Sequence, residues 1–512
     1  MIQSLPFRSL LPFAFLTLVG IAADGTAQSP DKILRQGVKA LGGESALRRI
    51  TTREAKGAIR RASDSAQGSL QMLTLKPDLY LLTFDVGGLE VSEGFNGKSA
   101  WRRDSRAGLR TLTGDESKSL LAATNYRNHL WLNYKKEKSK LIDAGQETVG
   151  GKPARAVMLT TRENVIIKLW FDTASGLLVR EEMPAGNGVT TFEYSNYSAV
   201  DGVLEPFTIK LNTGGELYNI TLSEVTHNQP LDRARFGFPK ISAEPLPDVS
   251  TLIEEVSAHQ KEIERIQERY ACAAVVTLRE TDKHGGWRDK ETKTYDVSFY
   301  RGRQIMRLTA KNNQPLSAQD QAEEDRRVEK LIREIDKREA EGNQASGIRK
   351  MGPPDPAARA QSISAILRTS RLTSPRRENY GGREVIVFDF EPQPSYKPTT
   401  TAETFLSKSS GVMWIDAAAK QIVRVDVRLD DSISIGGGLI GSVKAGAKLI
   451  REQGLVSSKE GEELWLPTYA EINIPVRALF VGITISSVTR FSDYRRFDVN
   501  AEKESLKAPM KP

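Results

Sequence analysis

The chain has 512 residues, 39% of them hydrophobic and 27% charged, with a formal net charge of +8 and a single cysteine. One cysteine excludes an intrachain disulfide, so stability has to come from buried apolar area, which a chain of this length supplies in two or three domains of about 100–200 residues. The charge surplus does not point to nucleic acid: Lys and Arg are interleaved with acids, and short clusters such as Lys135-Lys136 and Arg376-Arg377 read as solvated faces, so an anionic membrane surface suits the surplus better.

At the N-terminus Arg8 precedes an apolar run over 10–19, and small residues lead to Gly25-Thr26-Ala27. This is the pattern of a cleavable secretory signal over 1–27, its apolar run too short to span a bilayer, and it implies a soluble periplasmic or secreted protein. A lipid-anchored N-terminus would need a cysteine there, but Cys272 lies within an apolar run over 271–276 that reads as a buried strand. Residues 31–43 place Ile33, Leu34, Val38 and Leu41 at helical spacing before Gly42-Gly43.

From 52 to 238 the pattern switches to period two. Strand-like runs fall at 68–75, 79–84, 165–171, 177–182, 190–197, 205–211 and 218–225. Gly87-Gly88, Asn96-Gly97, Gly150-Gly151, Asn187-Gly188, Asp201-Gly202 and Gly214-Gly215 are turn signals between them, as in an antiparallel meander, and only 116–133 reads as helical. This is a first domain, 28–240. A linker over 241–250 carries Pro245 and Pro247. A second domain, 251–499, begins like the first, with a helical stretch carrying Leu252, Ile253, Val256, Ile263 and Ile266 and strands from Ala273 onward. A charged insertion over 317–341, with Val328, Leu331, Ile332 and Ile335 as its only apolar stripe, reads as a solvated surface helix or hairpin arm dispensable for folding. A flexible loop over 342–359 follows it, and 500–512 form a polar tail.

The two halves share a pattern. Leu169-Trp170-Phe171-Asp172 and Leu177-Leu178-Val179-Arg180 are matched by Met413-Trp414-Ile415-Asp416 and Gln421-Ile422-Val423-Arg424 at one offset, and residues 205–212 are matched by 466–473. Strand, turn and Pro recur in the same order, which reads as a structural duplication.

Residues 171–180, 194–206 and 224–232 resemble the exported outer-membrane lipoprotein-sorting-like proteins, which have the fold of the carrier LolA. The resemblance covers the first domain well and the second weakly, mostly over 410–499. It implies a mainly β (α+β) chain with two curved antiparallel half-barrel sheets, each packed on helices, whose apolar concave side shelters acyl chains. The carrier has one domain and this chain two, so lipoprotein transport does not simply carry over.

Activated-serine and metal chemistry would each need a recognisable residue pattern. The chain has no G-x-S-x-G elbow and no H-E-x-x-H; His129, His227, His259 and His284 are isolated and read as surface or turn residues. Gly436-Gly437-Gly438 lacks the Gly-Lys-Ser/Thr of a phosphate loop, and Glu181-Glu182 sit adjacent in a strand, pointing to opposite faces. The expectation is a non-enzyme without metal or cofactor. The candidate site residues are therefore apolar: Trp101, Leu169, Phe171 and Phe192 on strands, with alternation turning Leu169 and Phe171 inward. Such an interior is compatible with an open cavity and with a filled core. The expected function is a periplasmic or envelope protein binding a lipid, lipoprotein acyl chains or another apolar ligand. The alternative is an envelope protein-protein interaction module with filled cores.

Overall fold

A computed structural model describes residues 29–185, 188–240, 245–281, 287–301, 303–340, 365–399, 401–435, 441–478 and 481–496. The signal segment 1–27, the loop 342–359, the glycine run 436–438, His284 and the tail 500–512 lie outside the described residues.

Two short helices open the chain, α1 (Pro30–Ala40) and α2 (Glu44–Arg49). Pro30 occupies the first turn of α1, where its missing N–H is no loss. The strands of the first half are β1 (Thr52–Arg61), β2 (Gln67–Leu75), β3 (Leu79–Val86), β4 (Leu89–Asn96), β5 (Ala100–Asp104) and β6 (Gly108–Leu112), then α3 (Gly114–Arg127), then β7 (Lys140–Val149), β8 (Lys152–Thr160), β9 (Ile166–Asp172), β10 (Leu178–Ala185), β11 (Gly188–Val200), β12 (Val203–Thr213) and β13 (Glu216–His227). They form one 13-stranded antiparallel sheet in the order β6-β5-β4-β3-β2-β1-β13-β12-β11-β10-β9-β8-β7. The sheet curls strongly. Phe84 on β3 and Tyr218 on β13 lie three strand spacings apart, about 14 Å on a flat sheet. Their ring centroids are nevertheless 6.1 Å apart.

The second half follows the same plan with α4 (Val249–Gln267), β14 (Tyr270–Thr281), β15 (Trp287–Tyr300), β16 (Arg303–Lys311), β17 (Gln314–Pro315), α5 (Ala318–Ala340), β18 (Ser370–Tyr380), β19 (Arg383–Pro392), α6 (Thr401–Leu406), β20 (Ser409–Asp416), β21 (Ile422–Leu429), β22 (Ile433–Ile435), β23 (Gly441–Val443), β24 (Lys448–Ser457), β25 (Glu463–Ala478) and β26 (Val481–Arg496). Its sheet runs β17-β16-β15-β14-β26-β25-β24-β21-β20-β19-β18, with β22–β23 as a side hairpin on β25. In both sheets the first strand pairs with the last, one wing continues from the first strand, and a helix leads to the other wing.

The duplication read from the sequence therefore holds in strand order. β9–β10 and β20–β21 occupy equivalent places, as do β12 and β25. The match extends to details: Trp170 lies opposite Arg180 and Trp414 opposite Arg424, each beside a β-bulge. Asp172 accepts from the amides of Ala174 and Ser175, and Asp416 from those of Ala418 and Ala419, so each carboxylate closes the turn after its strand.

Helix α5 departs from expectation. Its narrow apolar stripe is not solvated: Val328, Ile332 and Ile335 are buried against Tyr300 and Ile305 of the second sheet. The charged residues cover the outer side of a docked helix, so its removal would expose a piece of core.

The sheets abut at β6 and β18. The Thr111 amide donates to Glu378 Oε2 at 2.8 Å, Arg376 Nε donates to Glu378 Oε1 at 2.7 Å, and Arg376 Nη2 donates to Asp389 Oδ1 at 3.1 Å. Arg376 also stands 3.9 Å from the Phe238 ring centroid. Arg376 is thus buried between the halves, not on a solvated face, and a side chain occupies an edge N–H that would otherwise template another strand.

Candidate functional site

Alternation along the first sheet sorts its side chains between an outer and a concave face, and the concave face carries two apolar clusters. At one end Leu169 and Phe171 of β9 pack with Val157 and Leu159 of β8 and with Ile33 and Leu34 of α1. The approach is close: a Cβ on Gly37 would stand 2.4 Å from the Phe171 ring, so α1 can lie on β9 only with glycine there. At the other end Ile59, Leu70, Tyr80, Leu82, Phe95, Ile209, Leu211 and Ile220 form a second cluster, against which Met72, Phe84, Leu121, Phe192, Tyr194 and Phe207 are half-buried.

Helix α3 lies across this face. It touches β3, β4 and β5 on one wing and β10 on the other, bridging the mouth of the curl. Its anchor is charged. Arg127, in the last turn of α3, donates to both oxygens of Glu181 and, at 3.3 Å, to the Tyr194 hydroxyl. The Glu181 side chain is fully buried. The Arg127 guanidinium also stands 5.0 Å from the Phe192 centroid, and Phe192 stacks on Tyr194 at 6.3 Å with 6° between the planes. Phe192 is thus held between a cation and an aromatic ring beneath the helix.

A second buried ion pair closes the neighbouring stretch. Arg53 Nη2 donates to Glu205 Oε2 at 2.8 Å, and His227 Nε2 lies 2.9 Å from Glu205 Oε1. Burial alone would raise the Glu205 carboxyl; Arg53 and His227 outweigh it and pull its pKa down from 4.5 to about 2. With the folded value below the unfolded one, the stabilisation is present above about pH 4.5 and is lost as pH falls through about 2. Over that window stability in urea should drop by about 2–3 kcal/mol more in the native chain than in Glu205→Gln. Equal acid sensitivity of the two proteins would show that Glu205 is not the responsible group.

The four apolar candidates are not brought to one place. Leu169 and Phe171 share a cluster and are 1% and 4% exposed. Trp101, 2% exposed, lies on the outer face, covered by the segment after β13, and its Nε1 donates to the Phe236 carbonyl at 3.1 Å. Phe192 is half-buried on the concave face. A cavity of about 50 Å³ beside Tyr126 and Trp131 is too small for an acyl chain. An open groove of about 670 Å³ lies elsewhere, where Pro245–Pro247 cross Arg377, Arg383 and Asp416 of the second half.

Sequence reasoning missed Glu181 as an interior residue. Counting by twos from the inward Leu178 turns Arg180 in and Glu181 out, but the bulge between Leu178 and Arg180 reverses this and sends Arg180 onto Trp170. His227, expected at the surface or in a turn, is likewise buried against Glu205. Among the described residues no three His, Cys, Asp or Glu side chains gather as metal ligands would, and no helix is long and apolar enough to cross a membrane.

No family model and no curated protein matches the chain. Solved structures that it is similar to include a LolA superfamily protein from Nitrosomonas europaea, at 16% identity over 41% of this chain and 99% of that one, with a TM-score of 0.29. A putative outer membrane lipoprotein-sorting protein domain from Vibrio parahaemolyticus matches at 11% identity over 41% and 95%, also with a TM-score of 0.29. The MucA/MucB complex of Pseudomonas aeruginosa matches at 8% identity over 92% and 99%, with a TM-score of 0.15. The first two are of the kind that residues 171–180, 194–206 and 224–232 resemble. At these scores the likeness carries no functional argument.

Proposed function

We propose that the chain is a non-enzymatic periplasmic or secreted envelope protein, exported by the signal 1–27, whose first domain binds a lipid, lipoprotein acyl chain or other apolar ligand on its concave face. The observation that supports this most is the half-buried aromatic strip of Phe84, Phe192, Tyr194 and Phe207 under a single bridging helix. Aromatic rings left partly exposed inside a curved sheet gain contact area from an apolar chain. In this reading Phe192 is the contact residue, whereas Leu169 and Phe171 form a packed wall and Trp101 lies behind the sheet on its outer face. Ligand entry displaces Arg127 from Phe192, and the strength of its bond to Glu181 sets how readily α3 lifts.

A second reading, the interaction module, is favoured by the tight packing of Leu169 and Phe171, both almost fully buried and with the Phe171 ring pressed against Gly37 of α1. Titration with a fluorescent fatty acid separates the two. On the first reading the native chain binds the probe, and Phe192→Glu weakens binding by about tenfold or more because a carboxylate is placed against the chain. A native chain that binds no fatty acid, or a variant that binds it equally well, favours the module.

A further inference from the structure

We propose that the end of the second sheet where hairpins β22–β23 and β25–β26 meet is a contact surface for an anionic lipid bilayer. The inference is independent of the concave-face ligand, since it concerns a different end of a different sheet.

The internal repeat provides the comparison. In the first half the β12–β13 hairpin has strands of 11 and 12 residues and turns at Thr213-Gly214-Gly215-Glu216, a polar tip with an acid. Its counterpart, β25–β26, has two strands of 16 residues. The added length projects: β14 pairs with β26 only as far as Ser486, and β24 pairs with β25 only as far as Asn473. The neighbouring turn between β10 and β11 is likewise replaced, between β21 and β24, by the inserted hairpin β22–β23, which pairs onto the projection at Ser442↔Arg477 and Val443↔Val476.

The projection is one-sided. Val476 faces Ile483 and Ile474 faces Ile485 across the strands, which puts four aliphatic side chains on one face. Val476 is covered, but Ile483 and Ile485 are 52% and 42% exposed. The first sheet also exposes Val189 and Leu217 at its corresponding end, where they accompany Glu216. The second-half segments carry no such acid. Residues 432–451 and 472–492 contain no Asp or Glu, in a chain with 65 of them, but contain Lys444, Lys448, Arg451, Arg477 and Arg490. Arg477 is exposed and, one residue on from Val476, falls on the reverse face of the same hairpin, and Lys444 sits on the adjoining hairpin, its amide bonded to the Pro475 carbonyl at 2.9 Å. Exposed aliphatics with cations close by and no acid within either segment, Asp430 and Asp431 standing only at the base of the inserted hairpin, match the two layers of an anionic membrane surface: the side chains enter the acyl boundary and the cations remain at the headgroup level. A soluble protein partner of ordinary composition would not call for the exclusion of acids over both segments.

The test is co-sedimentation of the signal-free chain with vesicles of phosphatidylglycerol and phosphatidylcholine, and with phosphatidylcholine alone. The native chain should bind the anionic vesicles, and salt should weaken that binding. Ile483→Ser/Ile485→Ser and Lys444→Glu/Arg477→Glu should each reduce it by about tenfold or more. Ile483, Ile485 and Arg477 lie on the projection and Lys444 on the hairpin that meets it, outside the packed core clusters, so the circular dichroism melting curve should not move, and Phe192→Glu should leave vesicle binding intact. The proposal is overturned if the native chain ignores both vesicles, if the variants bind as well as the native chain, or if the isoleucine variant instead dissociates a native dimer, which would assign the face to a second copy.

Discussion

Replacing Glu181 with alanine is expected to lower the unfolding free energy by about 3–5 kcal/mol, because it leaves the Arg127 guanidinium with little solvent and no counter-ion. The loss should be visible as a shift of the urea midpoint without a change in slope. Replacing both partners, with Arg127→Met and Glu181→Leu, should recover most of it, since a buried pair exchanged for apolar groups of similar volume is often neutral or stabilising. The second half already has the apolar solution: at the repeat offset of the matched segments the counterpart of Glu181 is Val425, buried in the helix-covered core. A loss below about 1 kcal/mol for Glu181→Ala would place the pair in solvent and remove the anchor assigned to α3.

Phe171→Ala should cost a similar amount, about 3–5 kcal/mol, because its ring is packed between β8, β9 and α1 and truncation leaves a cavity. The same change in the lining of an open pocket would lose few contacts. Gly37→Ala should also destabilise the chain, through collision with the ring, and the two changes should be strongly non-additive because one removes the obstacle that the other meets. Additive losses would mean that α1 does not rest on Phe171.

What the sequence made legible follows its periodicity. The strands around Trp170 and Trp414 were readable because alternating apolar residues, a turn and an arginine recur at one offset, and the structure repeats even the bulge. β7 was not readable: it is an edge strand, mostly exposed, and its sequence offers no apolar alternation. The bulge before Arg180 hid Glu181, since period-two reasoning fails one residue past any insertion. Arg376 was opaque for another reason. Its partners Thr111, Glu378 and Asp389 come from both halves of the chain, and no local pattern announces a contact between positions so far apart. The segment of α5 reads from its sequence as a surface helix or hairpin arm and not as a docked helix, because a stripe of four apolar residues among many charges looks the same in either setting until the receiving surface, Tyr300 and Ile305, is known.

Uptake of an apolar chain by the concave aromatic strip of the first half is the core of the proposed function. It is tested most directly by mass spectrometry of organic extracts from the native protein purified without detergent, alongside extracts from Phe192→Glu. Acyl species retained by the native protein and lost from the variant are the predicted result. No acyl species in either extract, with both proteins folded, would contradict the claim and leave the two sheets as a solid module for protein contact.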